Sequence, residues 1–279
     1  MRSSDGQPTW ALHGLLTSMR LAVDVGATHV VVAADPAGGC PWRREMHPGY
    51  KAHRSESAIE LKQQLVAYPA LLEAIGIGVS CVEGWEADDV LASLASYATS
   101  IGGKSVVVTN DRDAYQLISD TCTVIRPDGG IVLDAKLVTK HGVGANLYRH
   151  IAALRGEPGD GIPGIPGVGE KTAGKLVAAF RHEITAAVDN ETLLKTVVTP
   201  RIAKIVVENA DLYRRNLTLG NLADNLDVKA AFNAGALPLD AHKVADACKP
   251  FGLERASELL IRQLATPQIA YNALLELPF

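Results

Sequence analysis

The stretch SVVVTNDRD, residues 105–113, decides the fold class of this chain. Its three valines predict a short buried strand, and two carboxylates, Asp111 and Asp113, follow at once. A continuous apolar run is typical of a strand covered on both faces, as in the parallel sheet of an α/β protein. Asp111 and Asp113 are two residues apart, so in extended backbone they project to one side. We therefore expect a pair of carboxylates at the end of a buried strand.

Apolar runs and helical patterns alternate on both sides of this stretch. Strands are predicted at 28–36, 78–84, 104–110 and 121–127, and helices over 55–76 and 86–103. The first of these helices has Ser55 or Ser57 as its expected N-cap and Gly76 as its terminator. This alternation predicts an α/β domain with a largely parallel sheet. Beyond about residue 143 helical patterns replace the strands, and a last helix is predicted over 251–264.

Composition sets broad limits on the function. The chain has 279 residues, 47% of them hydrophobic, which is enough for a large core with a smaller second one. The net charge of −4 argues mildly against nucleic acid, although local basic tracts can coexist with an acidic average. The sequence contains no apolar run of membrane-spanning length and no signal-peptide pattern. Four scattered cysteines without a CxxC pair suit a reducing cytoplasm and argue against disulfides and zinc.

Acidic residues follow several of the predicted strands. Residues beyond the carboxyl ends of parallel strands converge on one crevice, and clustered carboxylates repel one another unless hard divalent cations bind them. Any one of these residues is more often a helix cap than a metal ligand, so the spacing alone leaves both interpretations open. Clusters after several apolar segments nevertheless favour a site for Mg²⁺ or Mn²⁺. The candidates are Asp35, Glu86, Asp88, Asp89, Asp111, Asp113 and Asp160, with Glu157 beside the last.

A glycine-rich segment, GIPGIPGVGEKTAGKLV at 161–177, carries the clearest local motif. We expect a tight turn at 162–164 and a helix that begins within 167–172, whose free N–H groups suit an anion. This predicts a helix–hairpin–helix that grips the backbone of duplex DNA without reading bases. A plain connector remains the alternative, whereas the GxxxxGK[ST] phosphate loop fails because Glu170 precedes Lys171. The expected DNA-binding residues are Gly164, Gly167, Gly169, Lys171, Thr172 and Lys175.

Several of these segments together resemble the bacterial 5′-3′ exonuclease and flap endonuclease family, which includes the 5′-nuclease domain of DNA polymerase I. The resemblance covers roughly residues 4–180, in the family's order. The matching stretches are SDGQPTWALHG (4–14), VVAAD (31–35), WRREMHPGYKAHR (42–54), EGWEADDVLASLA (83–95), VVVTNDRDAYQLISD (106–120) and GEPGDGIPGIPGVGEKTAGKL (156–176).

The resemblance implies an α/β fold with a PIN-like nuclease domain over 1–155, a helix–hairpin–helix domain over 156–236 and a helical tail over 237–279 that packs back on the body. It also implies that the acidic residues named above bind two or more Mg²⁺ or Mn²⁺ ions, and it leaves room for a monovalent cation, K⁺, at the hairpin. Residues 42–54 correspond to an arch or loop that threads a single-stranded 5′ end. Lys51 and Arg54 would neutralise the scissile phosphate and Tyr50 would stack on an unpaired base, with Arg43 as the upstream arginine.

The activity implied by the resemblance is hydrolysis of DNA phosphodiester bonds by a 5′-3′ exonuclease or 5′-flap endonuclease, in replication and repair. The expected partner is DNA with a flap, a nick or a free 5′ end. We expect a monomer in the cytoplasm, associated with the nucleoid. A DNA-binding homologue with impaired catalysis is the alternative, and a PIN-type ribonuclease is disfavoured because such domains rarely carry a hairpin module.

The chain departs from the family pattern at three points. Family members usually have Asp where this chain has Glu157 and Asn where it has Gly161. They also begin with a central strand whose final aspartate binds metal, whereas this chain begins near the SDGQPT loop, to which Asp5 belongs. A missing central strand predicts a gap in the sheet with unpaired backbone groups. We favour a translation start upstream of Met1 over a truncated form.

Overall fold

The computed structural model describes residues 2–3, 6–24, 26–55 and 57–264. Asp5 of the predicted loop and residues 265–279 of the predicted tail lie outside them. The described strands, in chain order, are β1 (Val31–Ala34), β2 (Gly78–Cys81), β3 (Ser105–Val108), β4 (Cys122–Ile125), β5 (Ile131–Val132), β6 (Gly156–Glu157) and β7 (Ile162–Pro163).

Helices connect the strands and make up most of the chain after residue 133. They are α1 (Trp10–Asp24), α2 (Pro41–Met46), α3 (Ile59–Ile75), α4 (Ala87–Ser100), α5 (Asp134–His141), α6 (Ala145–Arg155), α7 (Glu170–Phe180), α8 (Ile184–Ala187), α9 (Glu191–Leu194), α10 (Pro200–Glu208), α11 (Ala210–Leu219), α12 (Lys229–Ala234), α13 (Ala241–Cys248) and α14 (Glu254–Leu264). Within the described residues, a helix long and apolar enough to cross a bilayer is not found.

The predicted α/β organisation is confirmed, although the parallel strands form two separate groups. Strand β1 pairs in parallel with β2, and β3 pairs in parallel with β4, to which β5 adds an antiparallel edge. A small antiparallel pair, β6 with β7, opens the hairpin region. Parallel strands need a long connection between them, and the chain passes through α2 and α3 between β1 and β2.

The helix predicted over 55–76 is present but begins later than expected. Its N-cap is Ala58, whose carbonyl accepts hydrogen bonds from the N–H groups of Leu61 and Lys62, so Ser55 and Ser57 are not its caps. The helix begins at Ile59, after both serines, so neither serine hydroxyl occupies the N-cap position. The terminator is as predicted, because Gly76 adopts the left-handed conformation with φ 89°.

Apolar residues form two main cores. One packs α6, α7, α10 and α11 around Leu154, Leu176 and Tyr213. The other joins α1 and α3 to α13 and α14, with Leu16 and Leu72 among its fully buried side chains. The chain therefore returns from the helical region to the α/β region, and its last described helices cover α1.

A wide groove, which we call the slot, separates β1 from β3. Its volume is about 1550 Å³, and β1, β3, α1 and α4 all contribute to its walls. No strand among the described residues pairs with the facing edges of β1 and β3.

Candidate active site

The first turn of α4 carries two adjacent aspartates with opposite surroundings. Asp88 faces other carboxylates, whereas Asp89 is fully buried and contacts an arginine. Successive residues on a helix are rotated by about 100°, so neighbours in sequence face different parts of the fold. Asp89 shares a helix face with Glu86, the residue just before α4, because they are three positions apart.

Arg43 of α2 holds this buried face together. Its guanidinium donates to Glu86 Oε2 at 2.8 Å and to both oxygens of Asp89, at 2.7 and 3.0 Å. It also donates to the carbonyls of Leu219 at 3.0 Å and Asn221 at 3.1 Å, beyond the end of α11. Burial alone would lower the pKa of Arg43, but the hydrogen bonds and charge of Asp89 raise it overall. We call Arg43, Glu86 and Asp89 the buried clamp.

The buried clamp corrects the predicted roles of Asp89 and Arg43. Each oxygen of Asp89 already accepts two hydrogen bonds, the further donors being the N–H groups of Glu86 at 3.1 Å and Ala223 at 2.9 Å. Asp89 therefore has no free oxygen for a metal ion in this structure. Arg43 is only 2% exposed, so it does not face a substrate and is a positioning residue instead. The contacts of residues 219–223 with this site are made largely by backbone groups, which have no local sequence signal.

Glu86 and Tyr50 also differ from their predicted roles. Glu86 Oε1 accepts from Lys51 Nζ at 2.7 Å, and Oε2 accepts from Tyr50 Oη at 2.6 Å as well as from Arg43. Burial would raise the pKa of Glu86, but these donors lower it overall. Burial and the bond to Glu86 raise the pKa of Tyr50. Since the Tyr50 ring is buried beside Ile162 and Leu219, it does not stack on an unpaired base as predicted, and Glu86 is not a free metal ligand.

The remaining acidic residues face one another and form what we call the carboxylate cluster. Burial raises the pKa of Asp88 to about 7, and repulsion from Asp111 and Asp35 contributes. Burial likewise raises the pKa of Asp113 to about 8, with repulsion from Asp111, Glu157 and other acids. The members are Asp35, Asp88, Asp111, Asp113, Glu157 and Asp160. The structure thus brings together the carboxylates that follow β1 and β3, the start of α4 and the turn after β6.

Backbone hydrogen bonds position several members of the cluster. Asp35 Oδ1 accepts from the N–H of Ala87 at 2.7 Å, so this carboxylate also caps the start of α4. Asp111 Oδ1 accepts from the N–H of Asp113 at 3.0 Å. Asp35 therefore caps α4 and also belongs to the carboxylate cluster. Its sequence position is compatible with both a helix cap and a metal ligand.

The cluster fits a hard divalent cation by donor chemistry and by charge. All its donors are carboxylate oxygens, which Mg²⁺ and Mn²⁺ prefer, and buried carboxyls with raised pKa values are stabilised when a cation binds beside them. Among the described residues, no three His, Cys, Asp or Glu side chains stand close enough together to hold an ion. The residues are thus assembled in one place, but they do not form a closed set of ligands.

A basic loop lies against this cluster. Arg54 Nη2 donates to Asp160 Oδ1 at 2.7 Å, and Lys51 Nζ lies 3.9 Å from Asp160 Oδ2. The N–H of Lys51 donates to the carbonyl of Asp160 at 2.8 Å, and the residue adopts a left-handed φ of 53°. Such a conformation is costly for a residue with a side chain, and its neighbours must hold it. His47, which the sequence analysis missed, adds a 2.8 Å contact from Nε2 to the carbonyl of Gly161.

The two substitutions relative to the family pattern have structural consequences. Gly161 has a φ of 73°, and a Cβ there would lie 2.3 Å from the carbonyl oxygen of Gly49. The close contact between the basic loop and this turn therefore requires glycine. Glu157 forms an ion pair with Arg155, while burial raises its pKa.

The glycine-rich hairpin joins α6 to α7. The predicted turn at 162–164 is wrong, because Ile162 and Pro163 form β7 and the turn lies at 158–161. Gly164 packs tightly, since a Cβ there would lie 1.8 Å from the carbonyl oxygen of Arg155. Gly169 is the N-cap of α7 and has open space around it. Gly167, Lys171 and Lys175 are exposed and Thr172 is partly exposed, so the predicted DNA-contacting face is accessible around the start of α7.

Comparison with known proteins identifies the family. A family model described as the N-terminal resolvase-like domain of 5′-3′ exonucleases matches residues 1–146, and one described as their C-terminal SAM fold matches residues 143–243. The chain belongs to the 5′-3′ exonuclease family. A 5′-3′ exonuclease of Streptomyces coelicolor is 39% identical over 229 residues, which cover 75% of this chain and 74% of that protein.

Other members of the 5′-3′ exonuclease family are parts of larger proteins. DNA polymerase I of Mycobacterium tuberculosis is 39% identical over 195 residues, which are 68% of this chain but only 21% of the polymerase. Among solved structures, a bacteriophage T5 5′-exonuclease with bound zinc ions matches with a TM-score of 0.65 and 20% identity, over 93% of this chain and 92% of that one. This likeness confirms the PIN-like α/β fold with a helical second region.

Proposed function

We propose that this member of the 5′-3′ exonuclease family is a metal-dependent nuclease that hydrolyses DNA phosphodiester bonds near a free 5′ end or a 5′ flap. One observation carries the proposal: carboxylates from four separate segments meet beside Lys51 and Arg54. Two of these carboxyls have pKa values raised to about 7 and 8 by burial and mutual repulsion. A site of this kind is costly to fold without a cation, and structural ion pairs do not require it.

The proposed metal ligands are Asp35, Asp88, Asp111, Asp113 and Asp160, with Glu157 at the margin. When bound there, Mg²⁺ or Mn²⁺ supplies Lewis-acid activation of water and neutralises charge on the scissile phosphate. Lys51 and Arg54 stand where the phosphate would approach the cluster. In the free protein Arg54 donates a hydrogen bond to Asp160 of the cluster, and Lys51 donates one to Glu86 of the buried clamp and lies 3.9 Å from Asp160. A phosphate can replace these carboxylates as the partner of the two cations.

The buried clamp and the glycine-rich hairpin have different roles in this proposal. The buried clamp orients α4, so that Asp88 lies beside the other carboxylates of the cluster. The clamp itself does not contact the substrate. The hairpin offers the N-terminus of α7 with Lys171 and Lys175 to a duplex phosphate, and a K⁺ ion at the hairpin belongs to the same proposal. DNA bound this way is held by its backbone, so cleavage depends on structure more than on sequence.

The related proteins support a proposal for the DNA substrate and the cellular role. A bacteriophage T5 flap endonuclease in complex with DNA and metal ions has a TM-score of 0.63 and 17% identity over 93% of this chain and 92% of that one. By extension to this chain, the proposed substrate is DNA with a flap, a nick or a free 5′ end, in replication and repair. A monomer in the cytoplasm, associated with the nucleoid, and the division at residues 155 and 236 are part of the same proposal.

Cleavage of a 5′-flapped duplex, labelled on the flap strand, tests the function. We expect cleavage near the junction with Mg²⁺ or Mn²⁺ present and none with EDTA. Asp111→Ala should abolish cleavage, whereas Asp211→Ala, which removes an exposed carboxylate on α11, should leave it unchanged.

A second candidate is a DNA-binding homologue that no longer cuts, which the open slot favours. It predicts that the wild-type chain binds the flapped duplex but does not cleave it at any metal concentration. Tight binding without cleavage would replace our proposal, and equal cleavage by Asp111→Ala would refute it.

A further inference from the structure

Arg155, the last residue of α6, lies between the carboxylate cluster and the start of the hairpin helix α7. Its Nη2 forms an ion pair with Glu157 Oε1, at the edge of the cluster, and its Nη1 donates to Glu170 Oε2 at 3.3 Å. Glu170 is the first residue of α7. One guanidinium therefore joins an acid of the cluster to the helix that we propose to bind duplex DNA.

The backbone around this guanidinium is closely packed. A Cβ on Gly164 would lie 1.8 Å from the carbonyl oxygen of Arg155, so the end of α6 contacts the chain directly after β7. Glu157 is held in β6, where it pairs with Ile162 of β7. Arg155 Nε also donates to the carbonyl of Gly156 at 3.2 Å. The contact between Arg155 and Glu157 thus belongs to the packed base of the hairpin.

The second partner of the guanidinium lies outside the cluster. Glu170 Oε1 is 3.4 Å from both Lys140 Nζ and His141 Nδ1, at the end of α5. The side chain of Arg155 is 13% exposed and that of Glu157 is 27% exposed, so water screens their attraction only in part. Burial would lower the pKa of Arg155, but the charge of Glu157 raises it overall, and the guanidinium stays positive.

This positive charge changes what Glu157 can offer a divalent cation. A carboxylate oxygen that accepts a bond from a guanidinium is less available as a ligand, and an ion on the other oxygen would lie beside a like charge. Asp113, in contrast, is surrounded by other acids, which together with burial raise its pKa to about 8. Glu157 therefore differs from Asp113 because an arginine of the chain already balances its charge.

We propose that Arg155 is a positioning residue that holds Glu157 as its ion-pair partner, outside the direct ligands of the metal, and so lowers the affinity of the cluster for divalent cations. The aspartates of the cluster then bind the metal. The proposal rests on the proposed function, because it assumes that the cluster binds Mg²⁺ or Mn²⁺. It refines that function by removing Glu157 from the set of metal ligands.

Calorimetric titration with Mn²⁺ alone, in the absence of DNA, tests this role. Arg155→Met removes the positive charge, keeps a long unbranched side chain and frees Glu157 to bind the ion. We expect this variant to bind Mn²⁺ about fivefold more tightly than the wild type. An unchanged or lower affinity would overturn the proposal.

A double variant separates the release of Glu157 from the simple loss of a nearby positive charge. In a Glu157→Gln background, Arg155→Met should raise the affinity for Mn²⁺ by only about twofold or less, because no carboxylate is released. An equal gain in both backgrounds would show that Arg155 acts on the metal only through its charge, and would overturn the proposal.

Asp113→Asn distinguishes this proposal from the proposed function. It should weaken Mn²⁺ binding by roughly tenfold or more, whereas Glu157→Gln should weaken it by about threefold or less. A wild-type chain that binds no Mn²⁺ would refute the proposed metal site and this proposal with it. Equal weakening by the two variants would leave the metal site in place and overturn only the role of Arg155.

Crystals of the wild-type protein grown with Mn²⁺ give a measurement that needs no variant. Anomalous scattering locates the ions. We expect the pair between Arg155 and Glu157 to be retained, with both Glu157 oxygens beyond about 3 Å from any ion. A Glu157 oxygen within about 2.5 Å of an ion would overturn the proposal.

Discussion

The buried clamp and the carboxylate cluster share helix α4 but treat negative charge in opposite ways. In the clamp, Asp89 is fully buried and every lone pair has a donor. In the cluster, Asp88 is one residue away, and burial together with neighbouring like charges raises its pKa. The contrast shows that burial does not determine the role of a carboxylate. Its partners do, because an arginine stabilises the charge and other carboxylates do the opposite.

This contrast separates residues that stabilise the fold from residues that we propose as metal ligands. The clamp connects α2, α4 and the segment after α11, which are distant from one another in sequence. The cluster contributes unfavourable repulsion to the free protein, which a bound cation would relieve. Substitutions in the clamp should therefore change stability first, and those in the cluster activity first.

The largest expected effect is on the clamp. Arg43→Ala leaves Glu86 and Asp89 buried without their cation, which should lower the free energy of unfolding by about 3–5 kcal/mol. The neighbouring Arg44→Ala is the matched control, because Arg44 is exposed and its recorded bond is to the carbonyl of Gly38. Urea unfolding of both variants measures the difference. Equal stability of the two would show that the clamp is not a structural element.

Asp88→Asn should lower cleavage without lowering stability, the opposite of the effect expected for the clamp. It removes one of several mutually repelling carboxylates, so the metal-free protein should be as stable as the wild type or more stable. Cleavage of the flapped duplex should fall by a factor on the order of a hundred, because a proposed metal ligand is lost. Denaturation without metal and single-turnover cleavage measure the two effects. A marked loss of stability with unchanged cleavage would reverse the roles we assign to Asp88 and Asp89.

The sequence allowed the α/β fold, the hairpin and the cluster to be predicted because each depends on local patterns. Valine runs mark the strands, and Asp111 and Asp113 follow one of them directly. Gly161 and Gly164 were visible as a motif, although the turn was predicted at 162–164 and lies at 158–161.

The clamp could not be predicted, since it depends on contacts between distant segments. Arg43 meets the carbonyl of Leu219, 176 residues away in sequence, and a backbone carbonyl carries no sequence signal. Likewise, the spacing of Glu86, Asp88 and Asp89 does not reveal which of them will face an arginine. The burial of Tyr50 depends on Ile162 and Leu219, so its local sequence suggested a stacking role that the fold does not allow.

His150 adds a third kind of buried titratable group, one that is kept neutral. Burial, with the nearby charge of Arg149, lowers its pKa to about 4, and its Nδ1 lies 2.7 Å from Tyr213 Oη in the helical core. In the unfolded chain the His150 imidazole takes up a proton below about pH 6.5, whereas in the folded protein it stays neutral until about pH 4. The free energy of unfolding therefore keeps its full value above pH 6.5 and decreases as the pH falls from 6.5 towards 4. Between pH 7 and pH 5 the loss should reach about 2 kcal/mol.

His150→Gln is the matched variant, since glutamine can still hydrogen-bond but does not titrate. Urea unfolding at pH 7 and pH 5 should show a smaller decrease in stability for this variant than for the wild type. Parallel decreases would mean that His150 is protonated in the folded protein, and that its burial has no role in the pH dependence.

The smallest expected effects belong to the hairpin, where charge is exposed rather than buried. Lys171→Ala and Lys175→Ala should each weaken binding to duplex DNA roughly fivefold near physiological salt and lower the salt dependence of log K by about 1. Neither should change the free energy of unfolding, because both side chains lie in solvent. Lys243→Ala, at an exposed position of α13, is the control and should leave binding unchanged. Binding titrations at several salt concentrations measure the slope. An unchanged slope in both hairpin variants would place the duplex elsewhere, and the exposed lysines of α7 would then contribute neither to the fold nor to binding.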